Sequence, residues 1–173
     1  SLSVTFNGDN ISSTDEVSIL GVKLSNNFNL KSFVSSKVQS CNFKFRNLWL
    51  IRKSLSLKTK TMLVTNLILS TLDFCNCLFL CSSAKEIKPL QTILNRAVRF
   101  IFNMRNGAPT TPYLKMLHFL PVTYRFKFKT CLLCYKIFNW MSPQYLQDKF
   151  QKYKPNTSIA LRTMNKGRDN HMF

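Results

Sequence analysis

Ser83-Ala-Lys-Glu86-Ile-Lys-Pro-Leu90-Gln-Thr-Ile-Leu-Asn-Arg-Ala-Val-Arg-Phe-Ile101 is the stretch whose periodicity decides the fold. Ser83 and Glu86 have the spacing of a capping box, in which each side chain satisfies the other's free backbone N–H. Ile87, Leu90, Ile93, Leu94, Ala97, Val98 and Ile101 then recur at three- and four-residue spacing on one side, the pattern of a helix with an apolar face. Lys88, Gln91, Thr92, Asn95, Arg96 and Arg99 fall on the other side. The segment predicts an amphipathic helix that needs other helices to cover it.

Downstream, Asn106-Gly107-Ala-Pro109 reads as a loop, and Thr111-Pro112 as the start of a short helix ending near His118. Pro121 forbids its continuation and suits the first turn of another helix, running to about Trp140. On that helix Arg125, Lys129 and Lys136 line up among aromatic and aliphatic residues. Pro143 to Phe150 predicts a last short helix, followed by linker. Upstream, Asn29 is the expected cap of a helix whose apolar face is Phe33, Val34, Val38, Cys41, Phe45 and Leu48, with Lys31, Lys37, Lys44 and Arg46 at its other positions. Ser54 and Ser56 offer a break and a new cap. Leu57 to about Cys81 then predicts a long apolar helix, kinked or interrupted near Asp73–Asn76. The first two dozen residues read as two strands: Leu2, Val4 and Phe6 alternate with polar residues, Asn7-Gly8-Asp9-Asn10 supplies turn chemistry, and Val17–Leu24 is a second β-rich run. The expected architecture is therefore mainly α, a bundle of about five to six helices with a small N-terminal β-hairpin.

Charge is distributed unusually. Between Val17 and Gln147 there are 19 Lys and Arg residues but two acids, Asp73 and Glu86, within a 173-residue chain of net charge +18. A single-sign field repels itself and weakens a compact state unless something of opposite sign lies against it. Here the i, i+4 carboxylate partners that would make a basic face merely solvated are missing. With 45% hydrophobic residues the chain can build a core, so the charge points to a folded surface for a polyanion, with an anionic membrane as the main rival. The amides Gln91 and Asn95 among Lys88, Arg96 and Arg99 suit a helix lying along a sugar-phosphate groove.

Other chemistry is sparse. No pair of acids forms a metal-holding motif for nucleotidyl transfer, and there is no Gly-rich phosphate loop, G-x-S-x-G or H-E-x-x-H. His118 and His171 are isolated. Cys77/Cys81 and Cys131/Cys134 could each share a helical face and hold zinc between them, but both pairs sit in apolar runs, so core packing is preferred and no metal is expected. The six cysteines without a secretory signal read as reduced thiols of an intracellular chain, nuclear or cytoplasmic. Leu57–Ala84 is long enough to span a membrane, but Thr65, Asn66, Ser70, Thr71, Asp73 and Asn76 interrupt it, so a buried helix is preferred and no membrane partner is expected. The opening Ser-Leu-Ser-Val and the polar tail from Arg162 suggest a piece cut from something larger.

Several phrases occur together and in order: Leu48-Trp-Leu-Ile-Arg-Lys53, Leu72-Asp-Phe-Cys-Asn76, the Leu90–Ile101 stretch, Leu117-His-Phe-Leu-Pro-Val122 with Arg125 and Lys129, and Ser142-Pro-Gln-Tyr-Leu146. The series, over roughly residues 17–155, resembles the segment just downstream of the polymerase palm in reverse transcriptases of LINE-type (non-LTR), jockey-like retrotransposons. The resemblance implies an end-of-palm hairpin over residues 1–28, with Leu20, Gly21 and Val22 like a primer grip, a thumb- and linker-like helical domain over 29–155, and a flexible tail over 156–173. It implies RNA and DNA partners as a template–primer duplex, gripped during target-primed reverse transcription, and contact with the upstream palm of the same polyprotein. The cations assigned to nucleic acid are Lys23, Lys44, Arg46, Arg52, Lys53, Lys88, Arg96, Arg99, Arg125 and Lys129. For Arg125 and Lys129 the alternative is to fix helices together, and Asp73 is expected to need a basic or amide partner. The family's catalytic aspartates lie upstream of this segment. It therefore carries no catalytic residue or cofactor of its own and should be inactive alone, Mg²⁺ belonging to the parent polymerase. The alternatives are a standalone basic helical module that binds nucleic acid, and a membrane-associated helical protein.

Overall fold

The computed structural model describes residues 3–6, 9–12, 14–27 and 30–150. It is mainly α, as the periodicity predicts, and among the described residues the β structure lies in the N-terminal part. The chain divides into two compact units, Ser1–Leu132 and Leu133–Phe173.

In the first unit, β1 (Ser3–Phe6) pairs antiparallel with β2 (Asp9–Ser12). The expected turn at Asn7-Gly8 and the side chain of Leu2 lie outside the described residues. The run Val17–Leu24 is not one strand but a hairpin of its own: β3 (Glu16–Ile19) turns through Leu20-Gly21 into β4 (Val22–Ser25). Both turn residues have positive φ, 49° and 78°, so glycine is used where its missing Cβ relieves strain. The β part is thus two hairpins. The second sends residues into the core, where Val22 is buried and Leu24 half-buried.

α1 (Lys31–Ile51) buries Phe33, Val34, Cys41, Phe45 and Leu48 as expected; its predicted cap, Asn29, lies outside the described residues. One position departs from the pattern. Lys37, expected on the polar side, is buried, while Val38 is only half-buried. A 3₁₀ turn (Arg52–Ser54) follows, and the Ser56 hydroxyl accepts the Thr59 N–H to cap α2 (Leu57–Leu63). α2 passes through a π-helical stretch (Val64–Leu69) into α3 (Ser70–Asp73). The predicted interruption is there: Cys75 turns left-handed at φ 51° and a 3₁₀ segment (Asn76–Cys81) replaces the helix. Among the described residues no helix is long and apolar enough to cross a membrane.

α4 (Ala84–Ile101) opens on the complete capping box. Ser83 N–H donates to Glu86 Oε2 at 2.9 Å, and Glu86 N–H donates to Ser83 Oγ at 3.4 Å. All seven predicted apolar positions are buried, and Phe100 joins them. Ser83→Ala should lower the unfolding free energy by about 1 kcal/mol, read by urea denaturation, because the Glu86 N–H at the helix start loses the side-chain oxygen that accepts it. α5 (Thr111–Met116) carries Pro112 in its first turn and ends two residues before His118, whose φ is 53°. α6 (Val122–Phe138) begins after Pro121, with Val122 and Phe126 buried in the core of the first unit. There, Phe79 stacks between Phe33, at 5.6 Å, and Phe126, at 5.1 Å. Phe45 and Trp49 meet the edge of Phe100.

In the second unit, α7 (Gln144–Gln147) follows Pro143, and Phe138 packs edge-on against Phe150.

Candidate nucleic-acid interface

The basic residues fall into two groups. The first is spent on the protein's own oxygen atoms. Lys37 Nζ donates to the carbonyls of Thr71 and Phe74, both at 2.6 Å, where α3 ends and helical hydrogen bonding stops. A helix terminus leaves carbonyls without partners, and a cation there also meets the negative end of the helix dipole. Phe33, Phe74 and Phe79 surround the ammonium at 4.8, 5.2 and 5.8 Å from their ring centroids. Burial lowers its pKa from 10.5 to about 8.

Lys44 acts one turn earlier. Its Nζ donates to Leu67 O at 3.1 Å and to Thr71 Oγ1 at 2.6 Å, beside the π-helical stretch where backbone pairing changes. Arg96 donates to Asn42 Oδ1 at 2.7 Å and lies over the Phe45 ring. Arg99 holds Ala108 O through Nε and Nη2, both at 3.1 Å, and so pins the loop around Gly107. Arg125 clasps Asp73 with two bonds of 2.5 and 2.6 Å, and Lys129 Nζ stands 3.7 Å from the same carboxylate. This forked pair ties α6 to α3 and supplies the partner that Asp73 required. The amides are also engaged: Gln91 Oε1 accepts the Val122 N–H that opens α6, and Gln91 Nε2 donates to Asn95. Gln91 therefore joins α4 to α6, with Asn95 bonded to it along α4, and the two do not form an open row of donors.

The second group faces solvent. Lys23, Arg46, Lys53 and Lys88 are exposed and make no side-chain hydrogen bond or ion pair among the described residues. They are the part of the predicted set whose charge is free for a ligand.

The hairpin turn and α1 also frame a cleft of about 310 Å³. Gly21 lies at one edge, Ser36, Ser40 and Lys44 come from α1, and Ser70 and Thr71 from α3. Leu20 beside it is 91% exposed. The cleft unites two predicted elements, Gly21 and Lys44, with hydroxyls that the sequence reading did not single out. Ser36 and Ser40 repeat at i, i+4 with Lys44, and that row was the available signal.

No protein-family model, curated protein or solved structure matches this chain.

The cysteines do not share one environment. Cys41 is buried, and burial pushes its thiol pKa up, but Cys77 and Cys131 are exposed, so core packing accounts for the first and not for the others. Among the described residues no three His, Cys, Asp or Glu side chains gather in a way that could hold a metal ion.

Proposed function

We propose that this chain is a non-catalytic segment of a LINE-type retrotransposon reverse transcriptase that grips the template–primer duplex, working intracellularly beside an upstream palm. The observation that carries the reading is the hydroxyl- and lysine-lined cleft beneath the Leu20–Gly21 turn. The Ser36 and Ser40 hydroxyls, the one N–H that Lys44 leaves unused and a glycine that lets backbone approach are groups that can hold a sugar-phosphate strand without reading its bases. The ordered phrases from Leu48 to Leu146 supply the family. The exposed cations Lys23, Arg46 and Lys88 supply the sequence-independent attraction.

Binding to an RNA–DNA hybrid tests it. Affinity should fall steeply with salt, as each neutralised phosphate releases counterions. Changing Lys23, Arg46 and Lys88 together to Ala should flatten that salt slope without lowering thermal stability, and should weaken all hybrid sequences alike. An affinity that barely changes between low and moderate salt would remove the phosphate-gripping role. A bare duplex DNA bound as tightly as the hybrid would favour a general basic module.

A further inference from the structure

A second cleft, of about 590 Å³, lies where the end of α1 meets the turn after α4, lined by Trp49, Arg52, Lys53, Leu55, Lys60 and Asn103. Three cations line it and no carboxylate does. Two of them converge on one neutral atom: Arg52 Nε, at 2.7 Å, and Lys60 Nζ, at 3.0 Å, both donate to Asn103 Oδ1. Lys60 is only 4% exposed, so its charge is largely removed from water with a single amide oxygen as compensation.

The two cations are not needed as caps for α4. Its last carbonyls, Val98, Arg99 and Phe100, already accept the N–H groups of Phe102, Met104 and Asn103. Asn103 occupies the left-handed position after the helix, at φ 54°, where asparagine is tolerated and its side chain is presented to the cleft. Donors remain in excess. An ammonium has three N–H groups and a guanidinium five, and Lys60 and Arg52 use one each among the described residues. Trp49 adds a buried indole N–H without a partner, and its ring lies 4.2 Å from the Arg52 guanidinium carbon, which restrains that side chain.

We infer that this cleft binds a phosphate dianion. Two converging positive charges and a third lining the same cleft match a phosphomonoester or inorganic phosphate better than a singly charged diester, and its oxygens accept from the unused N–H groups. The phosphate replaces Asn103 Oδ1 as the acceptor shared by Arg52 and Lys60. The cleft has room for a sugar beside the phosphate. This inference does not rest on the duplex-gripping reading, because free phosphate suffices to occupy the site.

The test follows the two indole N–H resonances of the ¹⁵N-labelled chain as inorganic phosphate replaces chloride at constant ionic strength. The Trp49 signal should move and saturate, while Trp140 stays in place. Lys53→Ala, at an exposed position, should raise the half-saturation concentration roughly fivefold, the scale of one exposed ion pair, with an unchanged melting temperature. Arg52→Lys should weaken binding while keeping the charge, because the fork is lost. A Trp49 signal that moves no more than that of Trp140, or a midpoint indifferent to Lys53→Ala, overturns the inference. A short single strand with a 5′ phosphate, compared with the same strand ending in a hydroxyl, identifies the source. Tighter binding of the phosphorylated strand, lost in Lys53→Ala, assigns a strand end; equal binding of both strands beside a saturable response to inorganic phosphate assigns the free ion.

Discussion

Replacing Arg125 by Met is expected to lower the unfolding free energy by about 2–4 kcal/mol in urea denaturation. Arg125 and Asp73 are 16% and 20% exposed at their side chains, and the guanidinium fork meets both carboxylate oxygens. Removing the cation leaves the carboxylate half-desolvated with only Lys129, 3.7 Å away, to answer it. Arg125→Lys should recover little of the loss, since a point charge cannot make two parallel bonds. Lys129→Ala should cost well under 1 kcal/mol, because that ammonium is 41% exposed and its contact is long. If Arg125→Met instead left stability intact and weakened hybrid binding, Arg125 would belong to the ligand surface and not to the helix packing.

The second large effect depends on pH. Lys37 has a pKa of about 8 in the folded chain against an ordinary 10.5, with burial as the main cause, opposed by the acidic groups Cys75, Cys41 and Asp73. Lys44 is the neighbouring cation on the same helix. Between these two values the unfolded chain holds the proton more tightly than the folded one. Stability from this group is therefore fully present above pH 10.5 and is lost as pH falls through about 8. A shift of this size corresponds to about 3 kcal/mol. Lys37→Met lacks the titration, so the protein that keeps Lys37 should gain on the variant by up to about 3 kcal/mol between those pH values, measured by urea denaturation at each end. Both proteins carry Cys41→Ala in this comparison, because that thiol interacts with Lys37 and would otherwise titrate differently in the two. A difference between the two that stays flat across the range would show that Lys37 keeps its ordinary pKa and is solvated.

Much of the helical layout was legible along the chain. The Ser83–Glu86 box, the apolar stripe from Ile87 to Ile101, the Ser56 cap and the breaks near Asp73 and at Pro121 are local signals. Backbone N–H groups, side-chain caps and proline act within a few residues of one another. The second hairpin was harder to read, because Val17–Leu24 is apolar enough to pass for one strand and its turn is marked by a single glycine. Lys37 was misplaced for a different reason. Helical periodicity assigns a charged residue to the wet side, and only the broken end of α3, reached 34 and 37 residues later in the chain, offers the carbonyls that draw it inward.

The charge itself divides in the same way. Sequence alone determined that 19 cations share their stretch of chain with two acids, and that most of them must find a partner other than a carboxylate. Tertiary structure decided which partner each one found. Lys37, Lys44 and Arg99 turn to backbone carbonyls, Arg96 to an amide, and Arg52 and Lys60 to one shared oxygen, while Lys23, Arg46, Lys53 and Lys88 are among those that face water. The reason is geometric: a carbonyl becomes an acceptor for a side chain where a helix ends, shifts to π pairing or turns into a loop, and which cation reaches it depends on how distant segments pack.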